Sequence, residues 1–181
     1  MNSSIGTTLF LGPANSPLLE WLSAQQRSVV HYEKPIDSQF LDDNLVTSPV
    51  SFGYRHILKG PMLERIFGPA VNLHISLLPW NRGADPNLWS FLEETPKGVS
   101  IHYLDEGIDT GDIIAQRELE FSDEETLATS YAQLDEAVQA LFRQHWPGIS
   151  AGTCGRRRQS GEGSFHTLAD RDAVADLLTD G

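Results

Sequence analysis

This sequence has a single cysteine, few basic residues and no long hydrophobic run. Cys154 alone cannot form an internal disulfide or supply a cysteine-rich zinc site. Lysine and arginine total 13 against 25 aspartate and glutamate residues, so the formal net charge is −12. Such an acidic chain is poorly suited to nucleic acid, which is bound through basic surfaces. No apolar stretch reaches the length that a membrane-spanning helix needs.

The sequence also lacks the motifs of several common enzyme classes. It contains no GxSxG nucleophile motif, no Walker phosphate loop and no GxGxxG dinucleotide motif, so those three classes have no support. The N-terminus, MNSSIGTTLFLG, has no basic segment before its brief apolar patch. We therefore expect no secretory signal and a cytoplasmic protein.

The order of apolar segments predicts one α/β domain. β-type runs occur at 7–12, 28–32, 49–54, 70–78, 99–104 and 113–121. Helical patterns occur at 18–26, 61–67, 87–94 and 125–145. We expect Pro147-Gly148 to end the last of these helices, 151–163 to be a surface loop, and 170–178 to form a short final helix. The segment 35–44 is polar and rich in turn-forming residues.

Two polar residues lie on the predicted strand at 70–78. Asn72 and His74 are two positions apart, so on a strand their side chains point to the same face. Ligands of open α/β sheets bind beyond the carboxyl ends of strands. An amide that donates to a developing oxyanion, beside an imidazole that moves a proton, suits acyl transfer. Alternatively, Asn72 fastens a loop and His74 is a core histidine, which is the commoner outcome for an isolated Asn-x-His.

Asp109 lies between two glycines in the sequence GIDTG, which permits a tight turn. Such a turn can present a carboxylate to a histidine on a neighbouring strand and stabilise the charged imidazole. The alternative is an Asx-turn that only shapes the loop. Asp105, Glu106 and Asp112 lie close by, but their spacing matches no calcium-binding loop, so we expect no metal.

Four further residues have both a functional and a structural interpretation. Arg82 can hold a phosphate or carboxylate through its planar fork, or it can be an exposed loop cation. Trp80 can stack on a flat substrate or pack, and packing is favoured for Trp89 on its helix. His102 lies on a strand and is either a second polar residue of the site or exposed. The sequence does not place His166.

Five short motifs follow one another in this sequence, namely Asn72-Leu73-His74, Ser76-Leu77-Leu78-Pro79, Arg82-Gly83, Gly98-Val99-Ser100-Ile101-His102 and Gly107-Ile108-Asp109-Thr110-Gly111. In this order they resemble the N10-formyltetrahydrofolate-dependent formyltransferases, a family that includes glycinamide ribonucleotide, methionyl-tRNA and sugar-nucleotide enzymes. The strong match covers 50–116.

The resemblance implies a Rossmann-like three-layer fold with a mostly parallel central sheet and antiparallel strands toward the C-terminal half. Fewer residues precede Asn72 than in longer members, so we expect an N-terminally shortened sheet. We expect one catalytic domain over 1–181, with its core at about 5–150 and a tail at 151–181.

The resemblance also implies roles for the three polar residues. Asn72 would hold the formyl oxygen as the carbon becomes tetrahedral, and His74 would assist that stabilisation and move protons. Asp109 would orient and charge His74 and help to remove the amine proton. N10-formyltetrahydrofolate would be the formyl donor, without a metal. Its pterin end would lie between two loops that contain Phe52, Tyr54, Arg55, Ile57, Leu58, Leu104, Glu106, Gly107 and Ile108.

The compact acidic chain, with its NRGADPNLW loop and GSFH segment, is most like the sugar N-formyltransferases. The expected acceptor is an amino-deoxysugar, linked to a nucleotide and used in glycan or surface polysaccharide synthesis, with Arg82 and Trp80 near it. Alternatives are another small amine (a hydroxyornithine side chain or glycinamide ribonucleotide), hydrolysis of formyltetrahydrofolate, and a folate-binding protein without activity. Neither tRNA nor a membrane is an expected partner, and a homodimer is compatible with the sequence.

Overall fold

The computed structural model describes residues 6–26 and 28–175. Its strands are β1 (Thr7–Leu11), β2 (Val29–Tyr32), β3 (Val46–Phe52), β4 (Val71–His74), β5 (Arg82–Gly83), β6 (Gly98–Tyr103), β7 (Ile113–Glu118) and β8 (Phe165–His166). Its helices are α1 (Pro17–Gln25), α2 (Ser38–Asp43), α3 (Gly60–Leu63), α4 (Pro86–Leu92), α5 (Leu127–Ala151) and α6 (Leu168–Ala173). Across these ranges, no helix combines the length and apolarity needed to cross a membrane.

Six strands form the central sheet in the order β2-β1-β3-β4-β6-β7. The pairs among β2, β1, β3 and β4 are parallel, whereas β4-β6 and β6-β7 are antiparallel. Strands β5 and β8 form a separate parallel pair. The prediction of a mostly parallel α/β sheet with antiparallel strands in the C-terminal half is confirmed. The strand direction changes at β4-β6, so β6 ends beside Val71 at the start of β4.

Alternate residues of the central strands pack on opposite faces of the sheet. Phe10 belongs to an apolar cluster with residues of α1 and α5, whereas Leu9 and Leu11 pack with residues of α2 and α3. All three side chains are fully buried. The period-2 alternation of strand side chains explains this division into three layers. Burial of each such side chain contributes about 1.5–3 kcal/mol to folding.

Helix α5 runs beyond the residues that were expected to end it. Pro147 lies inside the helix, which ends at Gly152 in the left-handed conformation (φ 66°). The prediction that Pro147-Gly148 ends the helix is therefore wrong. A proline removes one backbone hydrogen bond, but Trp146 and Ile149 on either side of it are buried in the core. Their packing holds the last turns of the helix against the sheet.

Other boundaries differ because side chains hold the backbone locally. The strand predicted at 70–78 ends at His74, and the hydroxyl of Ser100 then donates to Ser76 O at 2.7 Å and accepts from Leu78 N at 3.1 Å. The polar segment 35–44 contains α2, which Asp37 caps.

The C-terminal segment also differs from the sequence prediction. The final helix spans Leu168–Ala173 rather than 170–178, and 176–178 lie outside the described residues. The expected surface loop at 151–163 leads directly into β8, which pairs with β5.

Phe142 provides a test of the α5 packing, because it is fully buried in the core. We expect Phe142→Ala to lower the free energy of unfolding by about 3–5 kcal/mol, through lost apolar contact and the cavity left behind. Tyr131→Ala is a matched control on the same helix, since Tyr131 is 52% exposed, and should cost about 1 kcal/mol or less. Urea unfolding measures both. Equal losses in the two variants would contradict this packing of α5.

Candidate functional site

The turn after β6 folds back over the face of β4 that carries Asn72 and His74. Asn72 and His74 lie on the same face of β4, and Asn72 pairs directly with His102 on β6. Asp109 lies in the turn between β6 and β7. Asp105 shapes this turn by accepting hydrogen bonds from Gly107 N at 3.1 Å and Thr110 Oγ1 at 2.7 Å. The structure therefore brings the three sequence-predicted residues together.

The Asp109 carboxylate is the centre of the cluster. Its Oδ1 accepts a hydrogen bond from Asn72 Nδ2 at 3.2 Å and lies 3.4 Å from His102 Nε2. Its Oδ2 accepts from the backbone N–H of Gly83 at 2.9 Å and lies 3.6 Å from His74 Nδ1. The Asp109 side chain is only 13% exposed, and that of His102 is 1% exposed. One carboxylate therefore faces two imidazoles, an amide and a backbone donor.

The turn brings Asp109 into the cluster through an uncommon backbone conformation. Asp109 has φ 55°, in the left-handed region that aspartate tolerates better than most residues. Gly111 follows where a Cβ atom would lie 1.8 Å from the carbonyl oxygen of Tyr103. The second glycine of GIDTG is therefore required, because any side chain at this position would collide with the backbone of Tyr103.

The surroundings of Asp109 determine its ionisation. Burial alone would raise its pKa, but the charges and hydrogen bonds of His74, His102 and Gly83 outweigh burial and hold the pKa well below its ordinary value of 3.8. Asp109 is therefore a carboxylate throughout the neutral range. It can stabilise positive charge in the site and accept hydrogen bonds, but it is a weak base.

Both histidine rings are fixed by backbone carbonyls. His74 Nε2 lies 2.9 Å from Asn81 O, and His102 Nδ1 lies 2.8 Å from Tyr103 O. A ring N–H can donate to each carbonyl, which leaves the other nitrogen facing Asp109. His74 therefore lies between the Asn81 carbonyl and the Asp109 carboxylate. The cluster can thus stabilise an oxyanion and pass a proton over a short distance.

The described residues contain no cluster of side chains that could bind a metal ion. No group of three or more histidine, cysteine, aspartate or glutamate side chains there has a geometry suited to a metal ion. Of the nearby acidic residues, Asp105 shapes the turn, Glu106 is exposed and Asp112 lies 3.9 Å from Arg156.

The two loops predicted for the folate lie next to each other. Leu58 and Leu104 belong to one apolar cluster with Tyr54, and a Cβ atom on Gly60 would lie 2.6 Å from Glu106 Oε1. The predicted residues fall into three groups by exposure. Phe52 and Leu58 are buried, Tyr54 and Leu104 are half-buried, and the exposed members are Arg55, Ile57, Glu106, Gly107 and Ile108.

A small cavity of about 150 Å³ adjoins these loops, and its lining residues are Leu63, Ile66, Gly68, Ala70, Tyr103, Leu104 and Arg156. The Arg156 guanidinium lies 3.6 Å from the centre of the Tyr103 ring and 3.9 Å from Asp112. A larger hollow of about 630 Å³ lies elsewhere, beside Phe91 and Phe121. Neither lining includes Asn72, His74, His102 or Asp109, but the smaller cavity includes Leu104 of the second predicted folate loop.

The two residues predicted for the acceptor differ in their contacts. Arg82 lies on β5, next to Gly83, and donates from Nε and Nη2 to Gln159 Oε1 at 3.1 and 2.8 Å. Trp80 is half-buried, and its backbone carbonyl accepts from Ser76 Oγ at 2.6 Å. The packing expected for Trp89 is present, since its ring stacks on His166 with centroids 3.9 Å apart.

Three contributors to the cluster were not identified as site residues from the sequence. His102 was left open between two interpretations, although the motif Gly98–His102 contained a signal for it. The Gly83 backbone N–H is visible only once β5 is placed. Gln159 donates to the carbonyl oxygens of Asp109 and Gly111 at 2.7 and 2.8 Å, and no local motif marks it.

The profile of the formyl transferase family matches residues 25–145. This chain belongs to the formyl transferase family. The family assignment confirms the resemblance of the five motifs. A methionyl-tRNA formyltransferase of Solibacter usitatus is 32% identical over 161 residues, which are 87% of this chain and 51% of that protein. The chain spans about a third to a half of such curated relatives.

Solved formyltransferase structures match over a larger share of their length. PseJ from Anoxybacillus kamchatkensis, crystallised with UDP-4,6-dideoxy-4-formamido-L-AltNAc and tetrahydrofolate, is 45% identical. The match covers 97% of this chain and 93% of PseJ, with a TM-score of 0.91. A 4-N formyltransferase from Francisella tularensis is 22% identical, with coverage of 94% and 79% and a TM-score of 0.82. At 22% identity, the match to the Francisella tularensis enzyme shows a shared fold and nothing more.

The lowered pKa of Asp109 predicts how acid affects stability. Because the folded-state pKa lies below the ordinary value, ionised Asp109 adds stability above about pH 4 that is lost as the pH falls through the folded-state pKa. We expect the stability difference between the wild type and Asp109→Asn to be constant near pH 5 and to shrink toward pH 3. Urea unfolding at a series of pH values measures it. A difference that grows on acidification would contradict the ionised, stabilised carboxylate.

Proposed function

We propose that this chain transfers a formyl group from N10-formyltetrahydrofolate to the amine of a nucleotide-linked amino-deoxysugar. The observation that carries the proposal is the cluster in which the Asp109 carboxylate contacts Asn72 and His74 on one face of β4. The chemistry of these groups is that of acyl transfer to an amine. Similarity to PseJ over nearly the whole of both chains supports the same donor and the same class of acceptor.

In the proposed reaction, the acceptor amine attacks the formyl carbon directly. A carbon–nitrogen bond forms to the acceptor, and the bond between the formyl carbon and N10 of the folate breaks. The attacking amine loses one proton, and N10 gains one. The reaction needs no nucleophile from the protein, in agreement with the absence of serine and cysteine from the cluster.

Asn72 and His74 stabilise the negative charge that develops on the formyl oxygen. The Asn72 amide donates to the Asp109 carboxylate and faces His102 Nε2, and a small rotation directs its N–H toward a formyl oxygen. Such preorganised donors act more strongly in a half-buried site than in water. Loss of one such donor typically lowers the rate by about 10²–10³-fold.

Asp109 acts mainly through its charge. Its pKa lies well below the ordinary value because His74, His102 and the Gly83 N–H favour the ionised form despite burial. A group this acidic holds a proton only briefly. It therefore attracts the positive charge that forms on the attacking amine and on His74, and relays the proton toward water or N10.

The folate fits the pair of loops at 52–58 and 104–108. The two loops adjoin each other, since Leu58 and Leu104 share one apolar cluster with Tyr54, and the second loop leads directly into the turn that carries Asp109. The backbone groups of both loops supply most hydrogen bonds to the ring. The exposed residues Arg55 and Ile57 are placed to contact the rest of the folate.

The acceptor approaches from the side of Arg82 and Trp80. A nucleotide-linked sugar carries a diphosphate, which a guanidinium binds well through paired hydrogen bonds. Two contacts with Gln159 fix the orientation of the Arg82 guanidinium. Because the chain is acidic overall, with a net charge of −12, such a local cation is needed for an anionic acceptor.

The proposed chemistry predicts loss of transfer on removal of either member of the ion pair. We expect His74→Ala and Asp109→Ala to lower kcat for amine-dependent release of tetrahydrofolate by at least about 10²-fold. His145→Ala is the matched control, because His145 lies on α5, outside the cluster, and should retain wild-type activity. The folded state of each variant is checked by its unfolding transition. Near-normal turnover in folded Asp109→Ala would refute the mechanism.

The acceptor class is tested with a panel of amines at a fixed donor concentration. We expect tetrahydrofolate release and formamide formation with nucleotide-linked amino-deoxysugars, and none with methionyl-tRNA, glycinamide ribonucleotide or hydroxyornithine, because the proposed site binds an amino sugar beside a diphosphate. Product masses identify the formylated compound. Release of tetrahydrofolate and formate without any amine would instead identify a hydrolase.

A further inference from the structure

The segment after α5 passes directly over the cluster. Arg157 pairs through its backbone with Ile113 at the start of β7, with N···O distances of 2.8 and 3.0 Å. Further along, β8 pairs in parallel with Arg82 and Gly83 of β5. The chain between these two attachments contains Gln159 and Ser164. The formyl transferase profile ends at residue 145, so this segment lies outside the part of the chain that the family match covers.

Gln159 connects the turn of Asp109 to strand β5. Its Nε2 donates to the carbonyl oxygens of Asp109 and Gly111 at 2.7 and 2.8 Å, and its Oε1 accepts two hydrogen bonds from Arg82. The residue after Arg82 is Gly83, whose N–H contacts the Asp109 carboxylate. One carboxamide therefore fixes both the backbone that carries the carboxylate and the strand that supplies one of its donors.

Ser164 holds Asn81, the residue whose carbonyl oxygen contacts His74, in a similar way. Its hydroxyl accepts from Asn81 N at 2.9 Å and donates to Asn81 Oδ1 at 3.1 Å. Asn81 is fully buried, has φ 55°, and offers its carbonyl oxygen to His74 Nε2. The left-handed conformation of a non-glycine residue is disfavoured, so these side-chain contacts help to hold the carbonyl that orients the ring.

We infer that Gln159 and Ser164 are positioning residues, which hold Asp109 and His74 in their working arrangement through the backbones of the Gly107–Gly111 turn and Asn81. Neither side chain reaches the reacting atoms itself. This inference rests on the proposed function for its effect on turnover, but the geometry it describes can be measured independently. It assigns a functional role to a segment that the sequence pattern predicted to be a surface loop.

The inference predicts loss of turnover without loss of substrate binding. We expect Gln159→Ala and Ser164→Ala each to lower kcat by about 10- to 100-fold, because small misplacement of reacting groups is costly. The KM values for donor and acceptor should change by no more than about threefold. Ser160→Ala, on an exposed neighbour in the same segment, is the control and should retain wild-type kinetics.

Two conservative variants distinguish positioning from general stability. Gln159→Glu keeps an acceptor for Arg82 but removes both donors to the turn, so it should be as impaired as Gln159→Ala. Ser164→Thr keeps the hydroxyl and should retain at least about a third of the wild-type kcat. Wild-type turnover in folded Gln159→Glu, or equal loss in Ser164→Thr and Ser164→Ala, would overturn the inference.

Hydrogen exchange of the Gly83 amide separates this inference from the proposed function, because that N–H donates to Asp109 Oδ2. We expect exchange about tenfold faster in Gln159→Ala and unchanged in Ser160→Ala, at equal global stability. If the wild type transfers no formyl group to any amine, the proposed function fails, while faster exchange in Gln159→Ala still supports positioning. Unchanged exchange at Gly83 overturns the inference whether or not the enzyme is active.

Discussion

The site depends on one buried carboxylate that must stay ionised. Asp109 is largely removed from solvent, and burial by itself favours the neutral acid. Four groups offset this cost: the imidazoles of His74 and His102, the amide of Asn72 and the backbone N–H of Gly83. The same groups hold the carboxylate in one position. The groups that keep Asp109 charged for the proposed reaction therefore also keep the site ordered.

The fold meets this requirement by combining residues that are distant in sequence. The change from parallel to antiparallel pairing at β4-β6 places His102 opposite Asn72 and returns the chain in a turn above β4. Asp109 adopts the left-handed backbone of that turn, and Gly111 permits close contact with the backbone of Tyr103. The apolar residues on the other face of β4 and β6 support the site from below by packing in the core. The cluster is thus a product of register and turn geometry together.

The sequence predicted those parts of the molecule that have a short-range pattern. Asn72, His74 and Asp109 lie in motifs whose spacing reports a strand or a glycine-flanked turn, and the structure brings them together. The end of α5 was wrong because burial of Trp146 and Ile149 overrides the local preference of Pro147. Gln159 was missed for a different reason. Its partners lie about 50 and 77 residues away, and a polar, glycine-rich segment carries no periodic signal of such contacts.

The central claim is that the cluster passes a formyl group directly from folate to an amine, without a covalent intermediate on the protein. A single-turnover experiment with excess enzyme and N10-formyltetrahydrofolate labelled in the formyl carbon tests it most directly. With a nucleotide-linked amino sugar present, the account predicts that label leaves the folate and enters the sugar as formamide at the same rate, with none on the protein at any time. Label that accumulates on the protein, or that appears as formate, would contradict it.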